Sequence, residues 1–321
     1  MRRVLDGTFV VFITAFVAAN AVAQAFPAKP VRLVVAFAPG GATDTFSRVT
    51  AAEMTKSLGQ QVIVENRPGA GTTIAAEVIA KSAPDGYTLL FTDLSTHAIT
   101  PSIYSRLGYH PLRDFAAVAP VSSSPLIMVA HPSVNVRSAR ELIALAKKHP
   151  GITCGNAGIG TVTHMASEKF RMRAGIDLTP VNYKGGATST ISLLTGEIAL
   201  IVTTIPAALE YVRTKRLVAI GLTAEKRSSL LPDIPALGET VKGVDAAVIA
   251  GVLAPAGTPR AVIERLNAEC AKAVDSPKAK EIFAVNAAEA MKQSPQAMQR
   301  SLEQDTKTWA DVVKATGVKL Q

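Results

Sequence analysis

The sequence predicts an α/β protein built from two lobes, and three observations support this prediction. Apolar, β-branched runs alternate with helix-like segments, a pattern typical of parallel sheets with crossover helices. A strand, a glycine-rich loop and a helix follow one another twice, first from Pro30 and again from Ile152. The chain has 321 residues, a length that favours two domains of about 150 residues over a single core.

The first half opens with the apolar strand Pro30–Phe37, which runs into the turn Ala38–Gly41. A helix follows, because apolar residues recur at helical spacing until Gly59 ends the pattern. The same alternation continues along the chain. The further elements predicted in this half are the strands Gln61–Asn66 and Tyr87–Thr92, the extended run Val118–Val129, and the helices Thr73–Lys81 and Ala139–Lys148.

The second half repeats the opening pattern. The strand Ile152–Gly155 enters the loop Asn156–Thr161, and Val162–Arg173 has helical spacing. Later strands are short and separated by helices, as expected for crossover connections. The remaining predicted elements are the strands Leu178–Tyr183, Ile198–Val202, Leu217–Leu222 and Ala247–Leu253, and the helices Ser189–Leu194, Pro206–Val212, Arg260–Val274 and Pro295–Ala315.

The first 25 residues have the pattern of a secretory signal peptide: Arg2 and Arg3, an apolar run, then small residues. Cleavage after Ala23 or Ala25 would leave 298 or 296 of the 321 residues. The apolar run is shorter than the roughly 20 residues that a membrane-spanning helix needs. We therefore expect export to the periplasm; an uncleaved anchor is the alternative.

Charge and composition argue against nucleic acid as a partner. The formal net charge is +9, but Lys and Arg are spread along the chain, and aromatic residues make up only 5%. Nucleic-acid binding favours clustered basic residues with aromatic side chains between them. A small anionic ligand remains compatible with this charge. The two cysteines, Cys154 and Cys270, fall in dissimilar segments, so we expect two separate buried thiols instead of a disulfide.

Both glycine-rich loops are candidate anion sites. Loops at the carboxyl ends of parallel strands line the ligand crevice, and a helix starting there directs unpaired N–H groups and a positive dipole end into it. Residues 38–44 form the first such loop, and 156–161 the second, with Thr163 and His164 on the following helix. The alternative is that the glycines only form turns and that Asp44 only caps its helix.

Enzyme signatures are incomplete. Gly155 and Gly160 have the spacing of a phosphate-binding loop, but Thr161 stands where that motif requires Lys. The sequence contains neither a Gly-x-Ser-x-Gly elbow nor a His-Glu-x-x-His motif. The five histidines lack metal-ligand spacing. Only His97 and His164 fall on candidate cleft segments, where they would contact the ligand or brace the loops. We therefore expect no catalysis, no metal and no cofactor.

Taken in order, several motifs resemble the Bug family of periplasmic binding proteins, the substrate-binding components of tripartite tricarboxylate transporters. The resemblance extends from about Phe26 to the C-terminus. It implies a type II periplasmic binding protein fold, with two α/β lobes joined by two crossover strands and a ligand cleft between them. The motifs are Phe26–Arg32, Pro39–Asp44, Val64–Gly71, Ala83–Leu89, Asn156–Thr161, Tyr183–Gly185, Leu230–Pro235 and Leu253–Pro259.

The resemblance also implies a division of the chain and a partner. Residues 26–124 together with 249–321 would form lobe 1, and 125–248 lobe 2, with crossings near 121–125 and 247–251. A monomer would deliver its ligand to the membrane subunits of the transporter. A sensor module that signals to a receptor is the main alternative. Because fold does not determine function, an exported hydrolase on the same scaffold is a second alternative; it is weaker, because the sequence offers no identifiable nucleophile with a base.

The implied ligand is a small carboxylate held by backbone groups and water around 37–44. The loop 92–97 and the segment 156–164 would complete the wall. Many relatives have an acidic residue where this chain has Thr203, so we expect a dicarboxylate or an aromatic acid and not an amino acid. The expected ligand-binding residues are Phe37, Ala38, Gly40, Gly41, Thr43, Asp44, Thr92, Ser95, His97, Ala157, Gly158, Gly160, Thr161, His164 and Thr203.

Overall fold

The structure is a computed structural model that describes residues 26–319. The predicted signal peptide and both of its cleavage positions lie outside the described residues. Within 26–319 the chain forms a mixed α/β fold with ten strands. None of the helices in that range is long and apolar enough to span a bilayer.

Lobe 1 is built on a sheet whose central strand, β1 (Val31–Val35), pairs in parallel with β2 (Val62–Asn66) and β3 (Thr88–Asp93). Parallel strands covered on both faces are apolar along most of their length. Four of the five residues of β1 are accordingly buried. Parallel pairing brings the carboxyl ends of β1, β2 and β3 to the same edge, because Val35 pairs with both Asn66 and Phe91.

Lobe 2 has the same kind of sheet. Strand β5 (Ile152–Asn156) pairs in parallel with β6 (Leu178–Asn182) and β7 (Leu200–Thr204). The carboxyl ends of these strands therefore also share one edge. β8 (Val218–Leu222) joins the sheet beside β4 (Phe115–Ala130).

The long strand β4 connects the two sheets. Its residues 115–125 pair antiparallel with β9 (Ala247–Pro255), and its residues 126–130 pair with β7 and β8. The short β10 (Glu289–Ala290) pairs with β4 at the lobe 1 end. The change of partner after Pro125 falls next to the predicted crossing at 121–125. The lobe boundaries themselves remain a prediction.

Ten α-helices cover the sheets in the described range. Helices α3 and α7 begin directly after a strand, and most of the others follow a strand after a short loop. Their bounds are α1 Ala42–Leu58, α2 Thr73–Ala80, α3 Leu94–Ile103, α4 Ala139–Lys148, α5 Val162–Ala174, α6 Gly186–Leu194, α7 Ile205–Arg213, α8 Arg260–Asp275, α9 Pro277–Val285 and α10 Pro295–Thr316.

One apolar cluster extends through both lobes. It includes Ile99 and Phe115 from lobe 1, Val162 and Phe170 from lobe 2, and Trp309 of α10. Two further clusters lie under α1, α8 and α9 in lobe 1 and under α6 and α7 in lobe 2. Burying a side chain of this size contributes on the order of 1.5–3 kcal/mol. The shared cluster thus joins the lobes at one side of the molecule through α3, α5 and α10.

Two helices were not predicted from the sequence. The segment 92–97 was expected to be a loop, but Thr92 ends β3 and the helix α3 starts at Leu94. Helix α3 lacks an apolar periodicity and contains Pro101; its start is stabilised by Asp93, whose carboxylate accepts hydrogen bonds from two N–H groups of the first turn. Helix α9 begins after a Ser276 cap with Pro277 at its first position.

Cys154 and Cys270 are free and buried, in two different apolar clusters. The expectation of two separate thiols is therefore confirmed. Burial raises the pKa of each thiol to about 12, and only the thiolate is strongly nucleophilic.

The two thiols should not react with an aromatic disulfide reagent in the native protein and should both react after denaturation, because burial denies them contact with the reagent and suppresses ionisation. The measurement is a thiol titration with and without guanidinium. Two thiols titrated within minutes under native conditions would contradict the placement of Cys154 and Cys270 in the core.

Candidate functional site

The loop after β1 is held by a network around Asp44. Asn66 donates to the carbonyl oxygen of Phe37 at 3.0 Å and to Asp44 Oδ1 at 2.8 Å. Asp44 Oδ2 accepts hydrogen bonds from the Gly40 N–H and from Arg48 Nε, both at 2.9 Å. Asp44 was predicted to contact the ligand, but both of its oxygens are already bonded within the protein. It shapes the loop, and its contact with a ligand stays a prediction.

The charge state of Asp44 follows from the same contacts. Burial alone would raise the pKa of this carboxyl, but hydrogen bonds from Arg48, Gly40 and Asn66 outweigh it and hold the pKa below its ordinary value. Asp44 is therefore ionised at neutral pH. Its negative charge is compensated by Arg48 and does not stand uncompensated beside an incoming anion.

Helix α1 begins beyond this loop without a side-chain cap. Its N-cap residue is Gly41, and no side chain accepts a hydrogen bond from the first turn. The first N–H groups of a helix have no partner within the helix. Those of Ala42 and Thr43 are available to a ligand, and Gly41 adds no side chain in front of them. This part of the predicted site has the properties of an anion cradle.

Most N–H groups of the second glycine-rich loop, 156–161, already have partners within the protein. Met165 N and Thr161 N bind backbone oxygens of the loop. Three other N–H groups donate to neighbouring side chains: those of Ala157, Gly158 and Gly160 donate to Thr163, Asn156 and His164 at 3.0, 2.9 and 3.2 Å.

The helix that follows this loop is capped as well. The hydroxyl of Thr161 accepts from His164 N at 3.4 Å, and Val162 N donates to Thr96 Oγ1 of lobe 1 at 3.1 Å. Few N–H groups remain for a ligand. That this loop cradles a carboxylate stays a prediction; the loop lies beside the contact between the lobes.

A chain of hydrogen bonds joins the lobes at this point. Thr96 donates to Asp93 Oδ2 at 2.5 Å while accepting from Val162 N. Asp93 also accepts from Ile249 N in β9, at 3.0 Å. Ser95, another predicted site residue, donates to the carbonyl oxygen of Ala247 at 2.9 Å. The first turn of α3 therefore ties lobe 1 to lobe 2 and to the hinge.

His97 braces the interior of lobe 1. Its ring has no exposed surface and packs on Phe115 and Tyr109, with centroids 5.0 and 6.1 Å away. His97 Nε2 lies 2.8 Å from the carbonyl oxygen of Pro111. Because a carbonyl can only accept, Nε2 carries the proton. Of the two roles left open for this residue, the structure favours bracing.

Several buried hydroxyl groups lack a partner among residues 26–319. A buried polar atom without a hydrogen bond costs free energy, so each marks a place where a ligand or water is needed. Thr92 and Thr203 are two of the predicted site residues. Thr72 and Ser122 were missed, and no sequence motif identifies them, although Thr72 has the unusual φ of 80°.

A cavity of about 530 Å³ lies elsewhere, at the hinge beside α10. Its wall includes Lys169, which binds Asp245 and lies 5.5 Å from the ring centroid of Trp309. Ser95 is the only predicted site residue in this wall. Neither glycine-rich loop lines it, so it is not the predicted ligand cleft. No three His, Cys, Asp or Glu side chains in the described part of the chain are placed to hold a metal ion.

The chain is similar in sequence to a known family of proteins. Residues 46–318 match the model of the tripartite tricarboxylate transporter family receptor. The chain belongs to this family. Protein BugT of Bordetella pertussis is 34% identical over 100% of this chain and 99% of its own length. The chain is thus a periplasmic solute-binding protein and not an enzyme.

Two solved structures of the same type carry a ligand. The R. palustris protein Rpa4515 with adipate is 32% identical, with a TM-score of 0.85 over 91% of this chain and 98% of its own. MatC from Rhodopseudomonas palustris with bound malate is 30% identical, with a TM-score of 0.83 over 90% of this chain and 100% of its own. The two-lobed fold implied by the resemblance is confirmed.

The helices around the cleft of this receptor fall into two groups, those that begin with a side-chain cap and those that do not. Helices α3 and α5 are capped by Asp93 and Thr161 and meet at the hinge side. Helices α1, α2, α6 and α7 begin without a side-chain cap. Two of these uncapped helices belong to each lobe. The receptor is therefore most open to an anion away from the contact between α3 and α5.

His97 should make the receptor less stable as the pH falls. Burial lowers the pKa of His97 to about 4, below its unfolded value of about 6.5, so the stabilisation present above pH 6.5 is lost as the pH falls towards 4. Asp93 acts in the opposite direction, because burial raises its pKa to about 6; its contribution is present below pH 3.8 and is lost as the pH rises through 6.

The wild type should therefore lose up to about 3 kcal/mol of its free energy of unfolding through His97 as the pH falls, at 1.36 kcal/mol per pKa unit. Replacing His97 with Gln should remove this loss. Denaturant unfolding of the wild type and of His97→Gln at several pH values between 4 and 7 measures the difference. The advantage of the wild type should shrink as the pH falls. An advantage that is constant over this range would show that the His97 ring is solvated.

Proposed function

We propose that this protein captures a small carboxylate without an amino group, a dicarboxylate or an aromatic acid, by closure of its lobes. The bound form is delivered to the membrane subunits of a tripartite tricarboxylate-type transporter. The uncapped start of α1 is the observation that supports this most directly. It offers N–H groups to an anion where Gly41 leaves room for the ligand.

Hydrogen bonding explains why such a site suits a carboxylate. Burying an ionised carboxylate is unfavourable unless its oxygens receive several hydrogen bonds. The first turn of α1 supplies N–H donors and a positive dipole end. The buried hydroxyl of Thr92, which has no partner among residues 26–319, lies near the end of the neighbouring β3. Together these groups can replace the water that the carboxylate loses.

The residue at position 203 restricts the ligand class. An amino acid needs a negative partner for its ammonium group, and this chain has Thr203 at the position that is acidic in many relatives. The adipate of Rpa4515 and the malate of MatC are both dicarboxylates without an amino group. These ligands support the same class for the present protein.

Closure follows from the way in which the lobes are joined. Strands β4 and β9 cross between the lobes, and the shared apolar cluster fixes one side. The opposite side, with the uncapped helices, can open by rotation about this hinge. A ligand that contacts both lobes stabilises the closed form, which the transporter recognises. Export by the leader 1–25 would place the protein in the periplasm.

A thermal-shift screen tests the ligand class. Dicarboxylates or aromatic acids should raise the melting temperature of the chain without residues 1–25, while aspartate and glutamate should not. At a concentration of 100 times Kd the expected stabilisation is about 2.7 kcal/mol. Stabilisation by amino acids without any effect of simple carboxylates would contradict the proposal.

Gly41→Val tests whether the ligand binds at the start of α1. The φ of −82° and ψ of 171° at Gly41 permit valine, and a Cβ there would lie 3.9 Å from its nearest neighbour, the oxygen of Ala38. The fold should therefore tolerate the change, at the loss of about 1 kcal/mol for a poorer N-cap. The ligand-induced shift should disappear, with Gly41→Ala intermediate. An undiminished shift in Gly41→Val would exclude this loop as the binding site.

A further inference from the structure

The start of α6 in lobe 2 is also open to an anion. No side chain caps this helix, whose N-cap residue is Gly185. The N–H of Gly185 binds the oxygen of Ala157, and the N–H of Ser189 binds the oxygen of Gly185. The N–H groups of the residues in between have no helical partner. They occupy the position at which helices attract anions.

A buried hydroxyl lies against this helix start. Thr203, at the end of β7, is 1% exposed, and its Oγ1 has no hydrogen-bond partner in the part of the chain that the structure describes. A Cβ on Gly186 would approach Thr203 Oγ1 to 3.1 Å. The hydroxyl and the free N–H groups of α6 therefore face the same small space. A ligand oxygen there would satisfy both.

Glycine at position 186 keeps this space open. The φ of Gly186 lies outside the left-handed range, so the backbone does not require glycine. The first turn of α6 has no acidic residue, and the preceding Lys184 is exposed. Neither a side chain nor a negative charge of this segment excludes an anion.

We propose that Gly186 and Thr203 form a subsite for the second carboxylate of a dicarboxylate ligand. This rests on the proposed function, in which α1 of lobe 1 binds the first carboxylate. One carboxylate is then held by each lobe, so the ligand bridges the cleft. A monocarboxylate of the same length engages only one lobe and stabilises the closed form less.

Calorimetric titration with matched acids tests the subsite. The probes are adipate and hexanoate, which have the same carbon chain and differ in one carboxylate, with succinate and butyrate as a shorter pair. Thr203→Val removes the hydroxyl at nearly constant volume, and Gly186→Ala fills the space beside it. Each should raise the Kd of the preferred dicarboxylate about tenfold, the usual effect of losing a hydrogen bond to a charged group.

Three controls separate binding from folding. Thr203→Ser keeps the hydroxyl and should leave Kd within about twofold of the wild-type value. Thr50→Val alters another buried threonine, whose hydroxyl donates to the oxygen of Phe46 at 2.8 Å inside lobe 1, and should leave Kd unchanged. The monocarboxylates should bind Thr203→Val and Gly186→Ala as they bind the wild type.

The outcomes distinguish a failure of the proposed function from a failure of the subsite alone. If the wild type binds none of these acids or any other carboxylate, the proposed function fails and the subsite fails with it. If it binds dicarboxylates but Thr203→Val and Gly186→Ala bind them equally well, only the subsite is wrong. An equal loss for mono- and dicarboxylates would also overturn it. If monocarboxylate binding is too weak to measure, the change in dicarboxylate Kd decides.

Discussion

The structure depends on one constraint: the N–H groups at the start of a helix need partners, and this protein provides them unequally. At the hinge side, Asp93 and Thr161 satisfy the first turns of α3 and α5. Around the cleft, four helices begin with no such cap. An uncapped helix start is less stable by about 1 kcal/mol, a cost that a bound anion can offset. Binding and stability are therefore coupled at these positions.

The capped helices have a structural role that the uncapped ones lack. Asp93 joins the start of α3 to β9 through Ile249, and Thr96 joins it to α5 through Val162. The apolar cluster around Trp309 extends across the same region. The lobes are thus held together on one side by hydrogen bonds and packing. A rotation that opens the cleft can preserve these contacts.

Most strands of the two sheets could be predicted from the sequence. Which N–H groups and side chains are hydrogen-bonded within the protein could not. Strand alternation predicted the parallel sheets, because apolar parallel strands are recognisable from their β-branched runs. Helix α3 was missed because its stability comes from the Asp93 cap and not from an apolar face. The segment 156–164 contains the residues of an anion site, but most of its N–H groups are used internally. Only coordinates reveal that both oxygens of Asp44 and the Nε2 of His97 are hydrogen-bonded within the protein.

A crystal structure of the protein with a bound dicarboxylate tests the account most directly. The account predicts a closed cleft in which one carboxylate lies within hydrogen-bonding distance of the N–H groups of Ala42 and Thr43 at the start of α1. The contacts of Asp93 and Thr96 should be unchanged. A ligand bound in the hinge cavity beside Trp309, or by the loop 156–161 alone, would contradict the central claim that uncapped helix starts bind the anion.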